Sequence, residues 1–296
     1  MKKKKINIAI LGTGNIGTDL LIKVMRSAFL NCSLFVGRNL NSKGISKAIN
    51  LGVTVSDRSI DILKENPDLY DLVFDATSAM QHIQHAKIFK ELNKLVIDLT
   101  PARVGILCVP SVNLAESLLE NNINTITCGG QASIPLAYAL GIVHHSIEYI
   151  EVVSAIASKS AGPGTRVNLD EYIETTEKGI QMFSKCKKSK VILILNPADP
   201  CIDMQTTIQA AIIDPDMNSI TNEVNKMVEK IQKFVPGYQL VVPPTFEGKR
   251  VIMTVRVKGL GDYLPTYAGN LDIINCAAIT IAEEYSKTLT STKSRK

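Results

Sequence analysis

The sequence predicts an α/β protein with an N-terminal doubly wound parallel sheet and a second α+β domain. In the first half, short apolar runs alternate with segments of helical periodicity, which is typical of parallel strands joined by helices. The second half combines strand-like runs at 150–157, 191–195 and 251–257 with an amphipathic helix at 219–234. We expect a first domain over residues 1–130 and 270–296, because the last helix packs back on it, and a second domain over 131–269. The first-half runs are Ile6–Leu11, Ser33–Gly37, Val53–Val55, Leu72–Asp75 and Leu95–Leu99.

The composition excludes several classes of function. At 296 residues, 45% hydrophobic and 21% charged, the chain resembles a soluble globular enzyme. The formal net charge of +5 comes partly from the two ends, and without a basic stripe interleaved with aromatics we expect no nucleic-acid partner. The six cysteines and four histidines show no ligand spacing, which predicts a reduced, cytoplasmic protein with no metal site. No segment reaches the ~20 apolar residues of a membrane helix.

A glycine-rich turn follows the first apolar run and opens the first helical segment. In the pattern Gly-x-Gly-x-x-Gly, the first glycine allows a tight turn, the second lets a pyrophosphate approach the backbone, and the third allows close helix packing. The pyrophosphate then lies at the helix N-terminus. A Rossmann-type dinucleotide-binding domain is therefore predicted. Its candidate cofactor-binding residues are Gly12, Thr13, Gly14, Asn15, Ile16 and Gly17.

The end of the second predicted strand bears on cofactor choice. An acidic residue usually stands there to bind the ribose hydroxyls of NAD. Here Arg38 and Asn39 occupy the position. Because an arginine can bind a 2′-phosphate, NADP is an alternative to NAD. The other interpretation is an exposed arginine in a loop.

The candidate nucleophile is a cysteine between a β-favouring run and a predicted helix. The run Thr125–Thr127 leads to Cys128, and Gly129 and Gly130 are interpreted as a sharp turn. A helix N-terminus stabilises the thiolate form of a cysteine, so we expect the pKa of Cys128 to lie below the ~8.5 of free cysteine. Beside a nicotinamide, such a cysteine supports aldehyde oxidation through a thiohemiacetal and a thioester. The alternative is a buried core cysteine.

Further local predictions concern one loop, two histidines and two helix ends. Residues 158–168 are interpreted as a glycine-rich loop that closes over the nicotinamide or the reacting carbonyl. Asn168 and Glu171 have the spacing of a capping box for a helix to about residue 184. His82 and His85 are expected to face solvent. The last helix is expected to end near Tyr285, before a disordered tail.

Four motifs in order carry a resemblance to a known family: Gly12–Gly17, Thr127–Ala132, Ser158–Arg166 and Tyr267–Ile273. With them, the chain closely resembles the acylating, coenzyme A-dependent acetaldehyde dehydrogenases, which partner 4-hydroxy-2-oxovalerate aldolase. The similarity runs from about residue 5 to residue 285.

This resemblance implies oxidation of acetaldehyde, or of propanal and other short aldehydes, with NAD. It implies that a thioester on Cys128 passes the acyl group to coenzyme A. It also implies that the second, catalytic domain makes a homodimer contact within a heterotetramer with the aldolase, which supplies acetaldehyde through an internal channel. The residues it implies as cofactor contacts are Thr13–Ile16, Ser160, Ala161, Gly162, Pro163, Gly164, Thr165, Arg166, Val167, Asn168 and Asn270.

The chain departs from the family at two informative places. Family members often carry Ile-Asp where this chain has Arg38 and Asn39. An acidic residue usual in the family is missing near Thr206, so no orienting or base role is carried over to this position. We therefore leave the general base unassigned.

Two other functions remain open from the sequence. A phosphorylating semialdehyde dehydrogenase would use the same cysteine thioester but release the acyl group to phosphate, with Arg166 and Arg103 as candidate phosphate ligands. A dinucleotide-binding subunit that only stabilises or regulates an aldolase would not need Cys128.

Overall fold

The computed structural model of the chain describes residues 5–293 and, within them, the side chains of 5–162 and 165–289. The chain forms two compact units, one made of residues up to Thr125 and from Asn275 onward, the other of residues 126–274. The division falls at 125 and 275, where the sequence suggested 130 and 270, and Cys128 belongs to the second unit.

The first unit is built on a parallel sheet with helices between its strands. The strands are β1 (Ile6–Leu11), β2 (Leu30–Val36), β3 (Val55–Ser56), β4 (Leu72–Asp75), β5 (Leu95–Asp98), β6 (Ile106–Leu107) and β7 (Asn122–Asn124). The helices are α1 (Asn15–Arg26), α2 (Lys43–Asn50), α3 (Ser59–Glu65), α4 (Ala79–Glu91) and α5 (Pro110–Ser117).

The strand order of this sheet places a ligand site. The order is β3-β2-β1-β4-β5-β7-β6, and every pairing is parallel. The chain runs outward from β1 to β3 on one side and from β4 on the other, so the order reverses between β1 and β4. Ligands of such sheets bind beyond the carboxyl ends of the strands at this reversal. The predicted Rossmann-type doubly wound sheet is confirmed.

Both faces of this sheet are buried, which explains the continuous apolar runs of the sequence. Ile8 and Ile10 of β1 join one hydrophobic cluster, whereas Ala9 and Leu11 join another on the opposite face. Successive side chains of a strand point to opposite faces, so a strand covered on both sides is apolar throughout. The first cluster also contains Ala278, Ile281 and Ala282 from the last helix.

The second unit combines a mixed sheet with helices. Its elements are α6 (Cys128–Val143), β8 (Ile147–Ala157), α7 (Pro163–Val167), α8 (Leu169–Ser184), β9 (Lys188–Asn196), β10 (Met204–Ile212), α9 (Met217–Gln232), β11 (Tyr238–Glu247) and β12 (Arg250–Val257). The last helix, α10 (Gly269–Lys293), begins in this unit and continues into the first. The five-stranded sheet has the order β11-β12-β10-β8-β9, in which only β8 and β9 pair in parallel.

One face of this second sheet is covered by helices and the other is open. In β10, Met204, Thr206 and Ile208 are buried and the residues between them are more exposed. Helix α6 packs against α8, α9 and β10. On the opposite face, Ile192 and Ile194 of β9 are 39% and 44% exposed. Exposed isoleucines on neighbouring positions of a sheet face are typical of a surface that another protein covers.

Several local predictions are corrected here. Strands β10 and β11 were not predicted, and α10 continues through Ser286–Lys293, where a disordered tail was expected; residues 294–296 lie outside the described residues. The segment 158–168 is not one irregular loop, because it contains a 3₁₀ turn at Ser158–Ser160 and α7. Across the described residues, none of the helices combines the length and apolar composition needed to cross a bilayer.

Candidate active site

A cavity of about 540 Å³ lies at the carboxyl edge of the first sheet, where the strand order reverses. Small-molecule and cofactor sites usually have volumes of ~300–1,000 Å³. Four chain segments form its wall, at or after the ends of β1, β2, β3 and β4. The lining residues are Leu11, Gly12, Thr13, Gly14, Gly37, Arg38, Asn39, Ser59, Ala76, Thr77, Ser78, Met80 and Gln81.

The three glycines of the turn have three different surroundings. Gly12 has φ +116°, and a Cβ there would lie 2.5 Å from the Ala76 carbonyl oxygen. A Cβ on Gly17 would lie 1.8 Å from the carbonyl oxygen of Gly12, so α1 starts in contact with the turn. A Cβ on Gly14, by contrast, would meet nothing within 4 Å. The second glycine thus leaves open space before the N-terminus of α1, as a pyrophosphate-binding turn requires.

The predicted cofactor residues of the first unit divide into two groups. Gly12, Thr13, Gly14 and Arg38 line the cavity. Asn15, Ile16 and Gly17 form the first turn of α1 instead and do not line it. Gly17 is buried, and the carbonyl oxygen of Ile16 accepts a hydrogen bond from Asn275 Nδ2 at 3.3 Å.

Arg38 is exposed at the cavity edge, and no carboxylate is among the cavity-lining residues. Its neighbour Asn39 accepts a hydrogen bond from the backbone N–H of Asn41 at 2.9 Å. The usual acceptor of the NAD ribose hydroxyls is therefore replaced by a cation and an amide.

Cys128 is the first residue of α6, with Thr127 as the N-cap. The Thr127 Oγ1 accepts a hydrogen bond from Gly130 N at 2.9 Å, so Gly129 and Gly130 form the first helical turn and not a sharp turn before it. The predicted strand at 125–127 is also wrong, because β7 ends at Asn124. Ile126 has φ +64°, a strained conformation for a β-branched residue and one that occurs mainly at functional sites.

The thiol of Cys128 contacts a tyrosine that the sequence did not indicate. Cys128 Sγ lies 3.7 Å from Tyr172 Oη, and the same oxygen accepts a hydrogen bond from Gly129 N at 3.0 Å. A Cβ on Gly129 would lie 2.1 Å from Tyr172 Oη, so the hydroxyl occupies the space that a side chain would fill. Tyr172 comes from the first turn of α8, 44 residues along the chain.

The expected low pKa of Cys128 is contradicted. Burial raises the pKa of the thiol above its ordinary value, although hydrogen bonds from Tyr172 and the Gly129 amide lower it in part. The sequence placed the thiol at a helix N-terminus, where it does lie, but did not reveal that the residue is only 9% exposed. Loss of water disfavours the charged thiolate, and this effect exceeds that of the hydrogen bonds from Tyr172 and the backbone.

The predicted cofactor residues at 160–168 lie in a compact segment between β8 and α8. Ser160 and Ala161 are 5% exposed, and Gly162, Thr165 and Asn168 are half-buried. Arg166 donates hydrogen bonds to the carbonyl oxygens of Ala161 and Ser158, both at 3.1 Å, while Val167 is exposed. Asn168 is the N-cap of α8, but its side chain makes no capping hydrogen bond, so the predicted capping box does not form. For Pro163 and Gly164 only the helical backbone is described.

Asn270, in the first turn of α10, has the features of a ligand-binding side chain. It is 1% exposed, and its Oδ1 has no hydrogen-bond partner in the described structure. A buried acceptor without a partner is uncommon in folded proteins. A bound donor group would satisfy it.

The expectation that His82 and His85 face solvent is wrong. They are 0% and 5% exposed, and each Nδ1 lies within 3 Å of the same carboxylate oxygen, Asp75 Oδ2. The other oxygen, Oδ1, accepts hydrogen bonds from the backbone N–H and the hydroxyl of Thr77, at 3.1 and 2.5 Å. Thr77 lines the cavity, so this buried network supports one of its walls.

Comparison with known proteins identifies the family. The chain is 57% identical to the acetaldehyde dehydrogenase of Pectobacterium atrosepticum over 285 residues, which are 96% of each protein. It is also 57% identical to that of Spirochaeta aurantia over 96% of each protein, and 49% identical to that of Geobacillus stearothermophilus over 96% of this chain and 97% of the relative. The chain belongs to the acetaldehyde dehydrogenase family.

A family model also matches this acetaldehyde dehydrogenase, and two solved structures share its fold. The model of the prokaryotic acetaldehyde dehydrogenase dimerisation domain matches residues 128–265, starting at the candidate nucleophile. Aspartate semialdehyde dehydrogenase II of Vibrio cholerae has the same fold, with a TM-score of 0.64 and 14% identity over 97% of this chain and 99% of that one. The enzyme of Candida albicans, solved with NADP, gives a TM-score of 0.65 and 13% identity over 95% and 100%.

Near Thr206, where an acidic residue is usual in the resembled family, this acetaldehyde dehydrogenase has two buried hydroxyl groups next to each other. Thr206 is 0% exposed, and its Oγ1 lies 2.9 Å from Ser154 Oγ. Ser154 Oγ is also 3.2 Å from the position of a Cβ on Gly129. The surroundings of Gly129 are thus formed by neutral hydroxyl groups.

Proposed function

We propose that this protein is an acylating acetaldehyde dehydrogenase, which converts acetaldehyde and other short aldehydes to acyl-coenzyme A. In this reaction the Cys128 sulfur adds to the aldehyde carbonyl carbon. A nicotinamide cofactor would supply the hydride acceptor. When that carbon loses its hydride and the hydroxyl group loses its proton to solvent, a thioester remains on Cys128. The coenzyme A thiol then attacks the thioester and regenerates Cys128.

The observation that carries this proposal is the position of Cys128 at the start of α6. The backbone N–H groups of Cys128 and Gly129 lie close to its sulfur and favour the thiolate form, and the helix N-terminus acts in the same direction. Gly129 and Gly130 add no side chains there. A core cysteine without a function would not require this helix start or the strained Ile126 before it.

For the cofactor we propose NAD, with NADP as the alternative that Arg38 favours. The open space at Gly14 fits a pyrophosphate, and Arg38 lies where a 2′-phosphate would need a cation. In the second unit, Asn270 Oδ1 would accept a hydrogen bond from the cofactor, and Ser160–Asn168 would form a second binding segment.

For the acyl acceptor we propose coenzyme A over phosphate. A phosphate acceptor requires cations near Cys128, and within the second unit Arg166 was the sequence candidate. Its guanidinium already donates to Ser158 and Ala161 of its own segment. The fold shared with semialdehyde dehydrogenases does not distinguish the two acceptors.

We also propose a cytoplasmic homodimer, within a heterotetramer that includes the aldolase. The open face of the second sheet, with Ile192 and Ile194, supports the homodimer contact. The aldolase partner rests on the family resemblance, and copurification with the aldolase at a fixed ratio would test it.

The experiment is nicotinamide reduction with acetaldehyde, using NAD or NADP, with coenzyme A present, absent or replaced by phosphate. We expect turnover that requires coenzyme A and that is lost in Cys128→Ser. Cys201→Ser, at a partly exposed cysteine of the same unit, is the matched control and should remain active. Turnover that requires phosphate would favour the semialdehyde dehydrogenase reaction. If Cys128→Ser kept every measurable effect of the wild-type protein, the catalytic role would be wrong and the role of a non-catalytic subunit of an aldolase complex would remain.

A further inference from the structure

The hydroxyl group of Tyr172 lies at the reacting atom of the proposed nucleophile, 3.7 Å from Cys128 Sγ. We propose that Tyr172 is a catalytic residue whose Oη–H donates a hydrogen bond to the sulfur of Cys128 when the thiol loses its proton. This inference rests on the proposed role of Cys128 and goes beyond it, because it assigns the group that stabilises the thiolate form of this buried cysteine.

One contact fixes the Tyr172 hydroxyl, and two more fix the helical turn that carries it. Gly129 N donates to Oη at 3.0 Å. The Tyr172 carbonyl oxygen accepts from Thr176 Oγ1 at 2.7 Å, and Thr176 Oγ1 lies 2.7 Å from Oγ1 of the N-cap residue Thr127. The first turn of α8 is thereby joined to the first turn of α6. Tyr172 itself is only 6% exposed, so its ring has little freedom to leave this position.

The Tyr172 hydroxyl can change from hydrogen-bond acceptor to hydrogen-bond donor towards Cys128. A tyrosine hydroxyl has one donor hydrogen and two acceptor lone pairs. With Cys128 as a thiol, Oη accepts from both Gly129 N and the S–H group. On ionisation the S–H bond breaks, the proton leaves to the solvent buffer, and the electron pair stays on sulfur. The Oη–H then turns to the sulfur, while Gly129 N keeps its bond to Oη.

The electrostatics favour this direction of donation. Burial raises the pKa of Tyr172 well above its usual value, and the nearby Cys128 raises it further, so the hydroxyl keeps its hydrogen when the thiol ionises. The groups that lower the pKa of Cys128 are the Tyr172 hydroxyl and the backbone amides of Gly129 and Cys128. The flanking hydroxyls of Thr127, Ser154 and Thr206 carry no charge. Tyr172 therefore does what a charged partner does in other thiol enzymes.

The test is the pH dependence of Cys128 alkylation by iodoacetamide, followed by mass spectrometry of the Cys128 peptide. Tyr172→Phe removes only the hydroxyl. Because hydrogen bonds to charged groups are the strong ones, we expect the alkylation rate at pH 8 to fall roughly tenfold and the profile to move to higher pH. Tyr138→Phe, at a half-buried tyrosine of α6, is the matched control and should keep the wild-type profile.

A second variant covers the case in which Tyr172→Phe does not fold. Gly129→Ala places a Cβ on the hydroxyl position and should displace Oη, with the same shift of the profile. A wild-type profile in a folded Tyr172→Phe protein, with unchanged kcat at all pH values, would overturn the inference. Alkylation needs no aldehyde, cofactor or coenzyme A, so this result is independent of the proposed function. Coenzyme A-dependent turnover tests that function separately.

Discussion

Nδ1 of His82 lies 2.9 Å from Oδ2 of Asp75, and both side chains are fully buried. His85 Nδ1 approaches the same oxygen at 2.8 Å, and His82 Nε2 faces Asn122 Nδ2 at 3.1 Å and Asp98 Oδ2 at 3.4 Å. A carboxylate that ends β4 is thus joined to two histidines of α4. The network connects the packing of the first unit to the Thr77 wall of its cofactor cavity.

Because of this network, we expect the stability of the first unit to fall both below and above an intermediate pH range. Burial raises the pKa of Asp75, but its hydrogen bonds with His82 and His85 outweigh that effect and bring the pKa to about 2. Burial lowers the pKa of His82, yet its hydrogen bond to Asp75 and the nearby carboxylates of Asp98 and Asp75 raise it overall above 6.5. Burial also raises the pKa of Asp98 to about 6.

We expect Asp75→Asn to lose on the order of 3 kcal/mol of unfolding free energy, as when one partner of a buried pair is removed. The stabilisation by Asp75 is complete above its unfolded pKa of ~4 and is lost as pH falls toward 2. The stabilisation by His82 is complete below ~6.5 and is lost as pH rises through its raised pKa. The difference between wild type and variant should therefore be largest between about pH 4 and 6.5. Urea unfolding from pH 3 to 8 measures it, and a constant difference would contradict the network.

Two glycine variants separate folding from cofactor binding in the turn after β1. Gly17→Ala should destabilise the first unit by about 1–3 kcal/mol, because its Cβ would overlap the Gly12 carbonyl. Gly14→Ala should keep wild-type stability, because nothing lies within 4 Å of its Cβ. It should nevertheless bind NADH more weakly, since the methyl group enters the space proposed for the pyrophosphate. Thermal melting and NADH fluorescence titration measure the two effects, and equal NADH affinity in Gly14→Ala would place the pyrophosphate elsewhere.

Replacement of Arg38 tests the choice between NAD and NADP. Arg38→Gln should reduce kcat/KM for NADP roughly ten- to a hundredfold, because hydrogen bonds to a charged phosphate contribute about 1.5–3 kcal/mol each. The value for NAD should change little. Arg58→Gln is the control, since Arg58 pairs with Glu65 on the surface of the same unit. Equal losses with both cofactors in Arg38→Gln would exclude a role specific to the 2′-phosphate.

Replacement of Asn270 should weaken cofactor binding more than it changes the free protein. Asn270→Ala removes a buried acceptor that has no partner in the described structure, and we expect about a tenfold rise in the Kd for NADH. Isothermal titration measures the Kd, with Asn218→Ala, at an exposed asparagine of α9, as the control. An unchanged Kd would show that the cofactor leaves Oδ1 without a donor.

The sequence by itself determined the parallel sheet, the glycine-rich turn after β1 and the position of Cys128 near the start of a helix. Continuous apolar runs and regularly spaced glycines are local features, so they are visible directly in the sequence. The strand alternation of β10, in contrast, went unrecognised, because six of its nine residues are polar or small and its partners β8 and β12 are distant in the chain.

Only the tertiary structure decided what surrounds the reactive and titratable groups. Tyr172 meets Cys128 from 44 residues away, and Asp75 turns His82 and His85 into buried partners. Burial then reversed the expected pKa of Cys128. Such effects depend on which side chains exclude water from one another. No local pattern records that, because packing brings together residues that are far apart along the chain.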